Sequence, residues 1–302
     1  MKNCKTLITF LLLTGLGIII SLLIDEPSGS QTVCEHVGAP QRIICMSPAV
    51  TELVFALGCD ERVVGVSDFC VYPAATEKKQ KVGGEFNPNF ERLTALRPDL
   101  IITQGRSAKI ADFCQRKQIP IFQLKVNTVE QILADARLLG RRLGRTEQAE
   151  NLCRGIQDNL RAIEQKVGGG KKRRVFFSLG RVMGSLSGLT TVSGNTFISE
   201  LIDKAGGVNI FADLEQNYPR ISKESLLKRE PEIIIEAHPG QELTLQKKEK
   251  FLQDWQQLGT LGAVQNGRIC FLTADYLIIP AARIDQIALR LAQVIHPEVF
   301  GE

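Results

Sequence analysis

Residues 89–102 read NFERLTALRPDLII, and residues 222–235 read SKESLLKREPEIII. In both stretches a glutamate at the third position is followed seven residues later by a proline, and an apolar run comes next. A capping residue two positions before the glutamate predicts a short helix, and the apolar run predicts a buried strand. The stretches lie 133 residues apart. We therefore predict that one helix–strand unit occurs twice in the chain.

Short β-branched runs alternate with helical patterns on both sides of this repeat. The first half has strand-like runs at Ile43–Met46, Val63–Val66, Leu100–Thr103 and Pro120–Leu124, with helices after Ser47 and over Ala108–Lys117. The second half has runs at Val175–Ser178, Ile233–Ile235 and Ile269–Leu272, with helices over Thr196–Ala205 and Ile284–Ile295. Such alternation is typical of an α/β fold with mainly parallel strands.

A long helical segment lies between the two halves. Apolar residues form one stripe from Val129 to Leu143 and a second from Leu152 to Val167, and Gly144 separates them. Both stripes have the spacing of an amphipathic helix. We therefore predict two similar α/β lobes with mainly parallel sheets, joined by a helical linker. The predicted boundaries are 31–127 for the N-terminal lobe, 128–170 for the bridging helices and 171–302 for the C-terminal lobe.

The first thirty residues have the pattern of an export signal. Lys2 and Lys5 precede an apolar run of 18 residues from Leu7 to Ile24, and small residues follow at 28–30. This pattern predicts a secretory signal peptide. The alternative is an uncleaved membrane anchor, because about 18 residues is close to the shortest span of a bilayer. We expect an exported protein, periplasmic or otherwise extracytoplasmic.

The composition excludes several classes of protein. Apolar residues make up 44% and charged residues 23% of the 302, which is typical of a globular chain rather than a disordered or polytopic membrane protein. The net charge is only +4, and the basic runs Lys78–Lys81, Lys171–Arg174 and Lys247–Lys250 are predicted to be solvated loops. We expect no nucleic-acid partner. Three histidines are too few for a histidine-rich metal cage.

The motifs of common enzymes and zinc sites are missing from the sequence. None of the eight cysteines forms a CxxC pair, and Cys45 and Cys270 lie in apolar runs, where we predict them to be buried. The chain has no Gly-x-Ser-x-Gly elbow, no P-loop and no His-Glu-x-x-His sequence. We therefore expect no enzymatic activity and no cofactor. We also expect the protein to be a monomer.

Four stretches carry a resemblance to a known family. They are RIICMSPAVTELVFAL (42–57), VVGVSDFCVYP (63–73), VGGEFNPNFERLTALRPDLII (82–102) and SGNTFISELIDKAGGVNIFAD (193–213). Together they resemble the substrate-binding proteins of ABC importers for cobalamin and ferric siderophores. The resemblance implies two α/β lobes bridged by rigid helix, with the ligand held between them. It also suggests a structural role for Arg283.

The resemblance implies a role for the repeated glutamates. In that family a glutamate on each lobe docks onto arginines of the membrane permease dimer, and Glu91 and Glu224 match those positions. The residues alone allow a simpler interpretation. Each glutamate is predicted at the second position of a helix, where free backbone N–H groups and the helix dipole favour a carboxylate.

The resemblance also indicates ligand-contacting positions. Tyr72 and Tyr218 match aromatic positions of corrinoid binders, although Tyr72 could equally be a packed loop residue. Glu85 stands where such binders often have an aromatic side chain, and the adjacent Phe86 could supply the missing ring. An acid facing the ligand suits a cationic or hydrogen-bond-donating group.

Three further side chains are candidates: His238 and Arg181 follow predicted strands, at whose ends ligands of open α/β sheets gather, and Arg220 is close to Tyr218. His238 follows the run Ile233–Ile235 and could reach a metal of the ligand, or it could be a capped loop histidine. Arg181 and Arg220 could bind acidic or amide groups, or they could be solvated.

We expect the chain to bind a metal–organic ligand and to deliver it to an ABC permease dimer in the membrane. A corrinoid is the first candidate, because Ser67–Pro73 and Val82–Gly84 look most like that branch of the family. A ferric siderophore or haem is the alternative. A transition-metal-ion binder and a two-lobed α/β enzyme are the other hypotheses.

Overall fold

Residues 38–301 are described by a computed structural model. The predicted signal peptide or anchor and Cys34 lie outside these residues. The first sheet contains β1 (Ile43–Cys45), β2 (Val63–Val66), β3 (Gln80–Lys81), β4 (Leu100–Gln104) and β5 (Ile121–Leu124), in the spatial order β3-β2-β1-β4-β5. The second contains β6 (Arg173–Ser178), β7 (Gly207–Asn209), β8 (Ile233–Ala237) and β9 (Ile269–Leu272), in the order β7-β6-β8-β9. Every strand pair in both sheets is parallel, which confirms the predicted α/β class.

Helices flank and join the two sheets. The first sheet carries α1 (Pro48–Ala56), α2 (Phe90–Ala95) and α3 (Ala108–Lys117). The bridge consists of α4 (Val129–Leu143) and α5 (Thr146–Val167). The second sheet carries α6 (Phe197–Lys204), α7 (Lys223–Arg229), α8 (Leu245–Trp255), α9 (Gly262–Gln265), α10 (Ile284–Ile295) and α11 (Pro297–Phe300). Short 3₁₀ helices cover Asp60–Arg62, Ala74–Lys78 and Gln256–Leu258.

The two sheets share one topology. The order β2-β1-β4-β5 in the first sheet corresponds to β7-β6-β8-β9 in the second, and β3 extends only the first sheet. The helices α2 and α7 occupy equivalent places, each directly before a central strand. The predicted duplication is confirmed. We call residues 38–127 the N-lobe, 128–170 the bridge and 171–301 the C-lobe.

A hydrogen-bonded corner at the start of the N-lobe sheet is held by Arg42. Its Nη2 donates to the carbonyl of Leu96 at 2.7 Å, and its Nε donates to the carbonyl of Arg97 at 3.1 Å. The backbone N–H of Arg42 donates to the Asp99 carboxylate at 2.9 Å. Arg97 has a φ of 44°, a left-handed conformation that ends the helix before β4. The corner ties the C-terminus of α2 to the beginnings of β1 and β4.

The C-lobe repeats this corner, with Arg174 in the place of Arg42 and Glu232 in the place of Asp99. Arg174 donates through its guanidinium to the carbonyls of Arg229 and Glu230, and its backbone N–H donates to the Glu232 carboxylate at 2.8 Å. Glu230 has a φ of 40°, matching that of Arg97. The duplication therefore extends to individual hydrogen bonds and backbone angles.

The core follows the pleat of the strands. Ile43 and Cys45 of β1 and Phe177 of β6 belong to one apolar cluster that also includes the bridging helices and α10. Ile44 and Phe176, on the opposite faces of the same strands, belong to separate clusters within their own lobes. Alternate residues of a strand point to opposite faces, so both faces of each sheet are covered. The shared cluster joins the two lobes and the bridge.

Most predicted elements lie within one or two residues of the observed ones. The prediction that the three basic runs lie in loops is wrong in part for each, because Lys247–Lys250 lies in α8, Lys81 in β3, and Arg173 and Arg174 in β6. The side chains of Lys247–Lys250 are nevertheless exposed. Cys45 is fully buried, whereas Cys270 is only partly buried because β9 is the edge strand of its sheet. The six cysteines within residues 38–301 are all unpaired.

The described residues form one compact unit by their contacts. The shared apolar cluster explains this result, because it includes residues of both lobes and of the bridge. The predicted boundaries at 127 and 170 therefore stay predictions.

Candidate functional site

An ion pair joins the two lobes. Arg283, directly before α10, donates from Nη2 to Glu52 Oε1 at 2.6 Å and from Nε to Glu52 Oε2 at 3.0 Å. Arg283 also contacts the Asp275 carboxylate at 3.1 Å. Arg283 and Glu52 are both buried, so this two-point contact is shielded from water. The structural role that the resemblance suggested for Arg283 agrees with this position.

Two tyrosines enclose the Arg283 guanidinium. The ring centroid of Tyr72, from the N-lobe, lies 3.7 Å from the guanidinium carbon, and that of Tyr276, from the C-lobe, lies 4.7 Å away. A cation over an aromatic face at this distance is attracted by the ring quadrupole. Tyr72 remains 42% exposed. It therefore packs on the junction with one face and leaves part of its ring to solvent.

The position of the ion pair defines which edges of the sheets face each other. Glu52 lies in α1, which begins just after the carboxyl end of β1. Arg283 lies between the carboxyl end of β9 and α10. All strands within each sheet are parallel, so their carboxyl ends share one edge. The Glu52–Arg283 pair therefore joins the carboxyl edges of the two sheets, and the loops after the strands lie around it.

Exposed apolar side chains occupy these loops in both lobes. The large ones at least 40% exposed are Phe69, Val71, Tyr72 and Phe86 after β2 and β3, and Val182, Met183, Tyr218 and Ile278 after β6, β7 and β9. Phe86 is 90% exposed and Met183 is 72% exposed. Exposed apolar patches on a folded protein mark binding surfaces. Sequence reasoning found only Tyr72, Phe86 and Tyr218. The other five exposed apolar residues follow strand ends closely in the sequence, and this position could have indicated them as candidates.

Glu85 is fixed within this region by the neighbouring loop. Its Oε1 accepts a hydrogen bond of 2.6 Å from the backbone N–H of Gln104, at the carboxyl end of β4. Ser107 Oγ donates to the Glu85 carbonyl, and Lys109 Nζ donates to the Phe86 carbonyl. Burial raises the pKa of Glu85, and the Gln104 N–H partly opposes that rise. The structure thus holds a partly desolvated carboxyl group beside the exposed Phe86 ring.

Tyr218 and Arg220 lie together on the C-lobe side. The backbone of Arg220 forms an isolated antiparallel β-bridge with that of Thr190, which lies in the loop after β6. Both side chains are exposed, and partial burial raises the pKa of the Tyr218 hydroxyl. The structure therefore places an aromatic ring and a guanidinium two residues apart on one loop.

The predicted ligand contacts Arg181 and His238 lie in the C-lobe interior instead. The Arg181 side chain is 3% exposed, with Nε 2.9 Å from Glu236 Oε1 and Nη1 2.7 Å from Asp254 Oδ2. His238 Nε2 lies 3.2 Å from Glu236 Oε1 and its ring stacks on Phe251. These contacts hold both side chains inside the C-lobe, although Arg181 Nη2 and His238 Nε2 are buried without a hydrogen-bond partner among the described residues. The ligand contacts predicted for them stay predictions.

Glu236 is the centre of that interior cluster. Its carboxylate is buried and accepts a hydrogen bond of 2.8 Å from Trp255 Nε1. Desolvation raises the pKa of Glu236, but the contacts with His238, Trp255 and Arg181 outweigh it and leave the pKa below the ordinary value. The carboxylate is therefore held in its charged form.

Glu91 and Glu224 occupy matching positions on the surface. Each is the second residue of its helix, as predicted. Asn89 accepts from the Arg92 N–H at 2.9 Å, and Ser222 accepts from the Ser225 N–H at 3.1 Å.

The topology places both glutamates near the carboxyl edges of the sheets. The helices α2 and α7 each precede a parallel strand and run back across the sheet, so each begins on the carboxyl-edge side. Hydrogen bonds with its own backbone N–H and with the Ser222 side chain lower the pKa of the Glu224 carboxyl group.

Between residues 38 and 301, no helix combines the length and apolarity of a membrane span. The same residues contain no group of three or more histidine, cysteine, aspartate or glutamate side chains placed to hold a metal ion.

Two parallel α/β sheets that face each other by their carboxyl edges across a helical bridge define a two-lobed ligand-binding fold. The family model described as periplasmic binding protein matches residues 43–276, and the chain belongs to this family. The vitamin B12-binding protein of Yersinia pestis (strain Pestoides F) is 31% identical over 199 residues, which cover 65% of this chain and 69% of that protein. The resemblance seen in the sequence is confirmed.

Solved structures share the fold. A possible iron-binding periplasmic solute-binding protein from Staphylococcus epidermidis superposes with a TM-score of 0.74 at 25% identity, covering 86% of this chain and 100% of the other. The periplasmic vitamin B12 binding protein of Vibrio cholerae gives a TM-score of 0.71 at 24% identity, covering 87% and 99%.

Proposed function

We propose that this protein is the solute-binding component of an ABC importer and holds a bulky metal–organic ligand between its lobes. The observation that carries the proposal is the set of exposed apolar side chains on both carboxyl edges, facing a junction whose charges are already paired. Aromatic and aliphatic surface with few free polar groups suits a large, partly apolar ligand. The function is binding and delivery, without chemistry on the ligand.

A corrinoid is the first candidate ligand. Its support is the 31% identity to a vitamin B12-binding protein together with Tyr72 and Tyr218 on opposite lobes. We propose that Tyr72, Phe86 and Tyr218 contact the apolar faces of the ligand and that Glu85 and Arg220 meet its polar groups. Arg181 and His238, predicted from the sequence as contacts, are left out because their side chains are engaged inside the C-lobe.

An iron-containing ligand is the second candidate. The similarity to a possible iron-binding protein favours it, and so does Glu85, a carboxylate at a position where corrinoid binders often have a ring. A ferric siderophore or haem with a cationic or hydrogen-bond-donating group would satisfy that carboxylate.

Ligand binding is tested by isothermal titration of the purified protein with cobalamin, cobinamide, haem and a ferric siderophore. We expect one class to bind, and Tyr218→Ala and Phe86→Ala to weaken that binding by about tenfold each. Leu289→Ala, an exposed apolar residue on α10, is the matched control and should bind like the wild type. Binding that is unaffected by both aromatic substitutions would contradict the proposed site.

The two glutamates supply the docking contacts in this proposal. Glu91 and Glu224 are exposed, lie at equivalent positions and begin helices on the same side as the ligand loops, so a permease dimer with two basic sockets would meet both. The double variant Glu91→Lys/Glu224→Lys should lose transport and keep its ligand affinity. Lost ligand affinity with intact transport would reject this division of roles.

The protein acts outside the cytoplasm and as a monomer in this proposal, as the family membership and the N-terminal sequence pattern suggest. Sequencing the N-terminus of the secreted protein distinguishes a cleaved signal from an anchor, and light scattering reports the oligomeric state.

A further inference from the structure

A surface notch of about 540 Å³ lies beside Glu91 on the N-lobe. It runs between α2 and α3. Phe90 and Phe113 form its apolar base, with ring centroids 5.0 Å apart. Ala95 lines the notch at the exposed end of α2, and its side chain is only a methyl group, so it leaves the notch open at this point. The notch can therefore take a large apolar side chain from outside.

The two ends of the notch carry opposite charges. Glu91 lines one part, and Arg116 and Lys117, from the last turn of α3, line another. Arg116 is 2.8 Å from Asp112 on the same helix, but this pair is exposed to solvent and is worth little on its own. Lys117 is exposed. A protein segment that complements these charges has a basic residue to pair with Glu91 and an acidic residue to pair with Arg116 and Lys117.

The equivalent surface of the C-lobe is built differently. Lys223 takes the place of Phe90, and Lys228 takes the place of Ala95. Lys223 Nζ donates to Gln257 Oε1 at 2.8 Å, a polar bridge where the N-lobe has its aromatic base. Glu224 is therefore surrounded by polar and basic side chains, whereas Glu91 borders an apolar notch.

We infer that the notch is a docking site for one segment of the permease, with an apolar side chain held between a basic and an acidic residue. The inference rests on the proposed docking role of Glu91. The basic residue of that segment pairs with Glu91, its apolar side chain packs on the base formed by Phe90 and Phe113, and its acidic residue meets Lys117. The N-lobe then contributes more to docking than the C-lobe, because only the N-lobe adds apolar burial to the charge contact.

The test measures docking of the full-length protein to the importer of its source organism, reconstituted in nanodiscs, by biolayer interferometry. Ala95→Gln fills the notch without adding charge, and glutamine is a good helix former at that exposed position. We expect at least about tenfold weaker docking with unchanged affinity for the transported ligand. Lys228→Gln places the same side chain at the equivalent C-lobe position and should change docking by less than about twofold.

Two further variants separate the inference from the proposed function. Glu91→Lys should weaken docking strongly, and Lys117→Glu should weaken it moderately. If Glu91→Lys weakens docking while Ala95→Gln binds like the wild type, the notch is not a docking site and the proposed function stands. If neither variant changes docking, both ideas are wrong. Circular dichroism melting checks that each variant is folded.

Discussion

The N-lobe and the C-lobe are the same at one edge of their sheets and different at the other. At the amino edge, Arg42 and Arg174 make the same hydrogen bonds to the C-terminal ends of α2 and α7, and the backbone angles match. At the carboxyl edge, the loops differ in length, in exposed apolar side chains and in charge. The duplicated unit thus keeps its scaffold where the strands begin and varies where they end, which is where ligands of such folds bind.

The interiors of the two lobes differ as well. At the fourth residue of β8 the C-lobe has the buried Glu236, paired with Arg181. At the fourth residue of β4 the N-lobe has Thr103, whose hydroxyl donates to the Gly105 carbonyl at 2.9 Å. One lobe therefore has a charged cluster at the place where the other is neutral. The following predictions test how far the two lobes are equivalent.

The largest effect is expected at the joint between the lobes. Arg283→Met leaves the buried Glu52 carboxylate without its partner, and we expect a loss of about 3–5 kcal/mol in the free energy of unfolding. Urea unfolding followed by tryptophan fluorescence and circular dichroism measures it. Because one apolar cluster runs through both lobes, the two probes should still give coincident transitions. A loss below about 1 kcal/mol would show that the ion pair is not needed for the joint.

The double variant Glu52→Leu/Arg283→Met is the control for this prediction. It removes both charges, so no buried ion is left unpaired, and it should be more stable than Arg283→Met alone. If the double variant is the less stable of the two, the single variant's loss comes from lost packing against Tyr72 and Tyr276 rather than from Glu52.

The next effect distinguishes the charged interior of the C-lobe from the neutral one of the N-lobe. Glu236→Gln should lose about 2 kcal/mol near neutral pH, because the contact with Arg181 loses its charge. The folded state lowers the pKa of Glu236. Its stabilisation is therefore complete above the ordinary glutamate pKa and is lost as the pH falls through the lowered value. The difference between wild type and variant should shrink on acidification, as measured by urea unfolding from pH 7 to pH 3.

Thr103→Val is the matched variant in the N-lobe. It removes a hydroxyl that carries no charge at any of these pH values, so its effect on stability should be the same across the series. An equal pH dependence for both variants would mean that the acid-sensitive group lies elsewhere.

A smaller and equal effect is expected at the duplicated corners. Arg42→Ala and Arg174→Ala each remove hydrogen bonds from a guanidinium to two carbonyls, and each should cost about 1–2 kcal/mol. Arg154→Ala, at an exposed position of α5, should change stability by less than about 0.5 kcal/mol. Chemical unfolding measures all three. Unequal effects at the two corners would mean that equal geometry does not imply equal energetic weight.

The sequence predicted those parts of the fold that local physics determines. The helices Ala108–Lys117 and Ile284–Ile295 were predicted with the observed bounds, and the two bridging helices were predicted as amphipathic stripes. The repeat placed Glu91 and Glu224 correctly because capping residues and prolines mark the ends of short elements. The edge strands β3 and β7 were missed because they are two and three residues long and have no apolar run.

The candidate site was predicted less completely. The strand ends and three of the exposed apolar residues follow from chain order and the resemblance. The buried position of Arg181 does not, because its partner Asp254 is 73 residues away in α8, a helix that is not predicted from the sequence. The spacing of Phe251 and Trp255, four residues apart, was the available sign of that helix. Arg181 is buried and Arg220 is exposed because of tertiary contacts, which the periodicity of the sequence does not encode.

The smallest expected effect lies at the N-terminal caps of α2 and α7. Asn89→Ala and Ser222→Ala each remove one side-chain acceptor from a helix N-terminus, at 2.9 Å and 3.1 Å, and each should cost about 1 kcal/mol in urea unfolding. The exchanges Asn89→Ser and Ser222→Asn keep an acceptor in place and are the controls, with losses of a few tenths of a kcal/mol at most. Equal losses at both caps would extend the equivalence of the lobes from the amino edge to the start of these helices. A clear loss at Ser222 alone would mean that the aromatic base of the notch at Phe90 and Phe113 holds α2 in place without its cap.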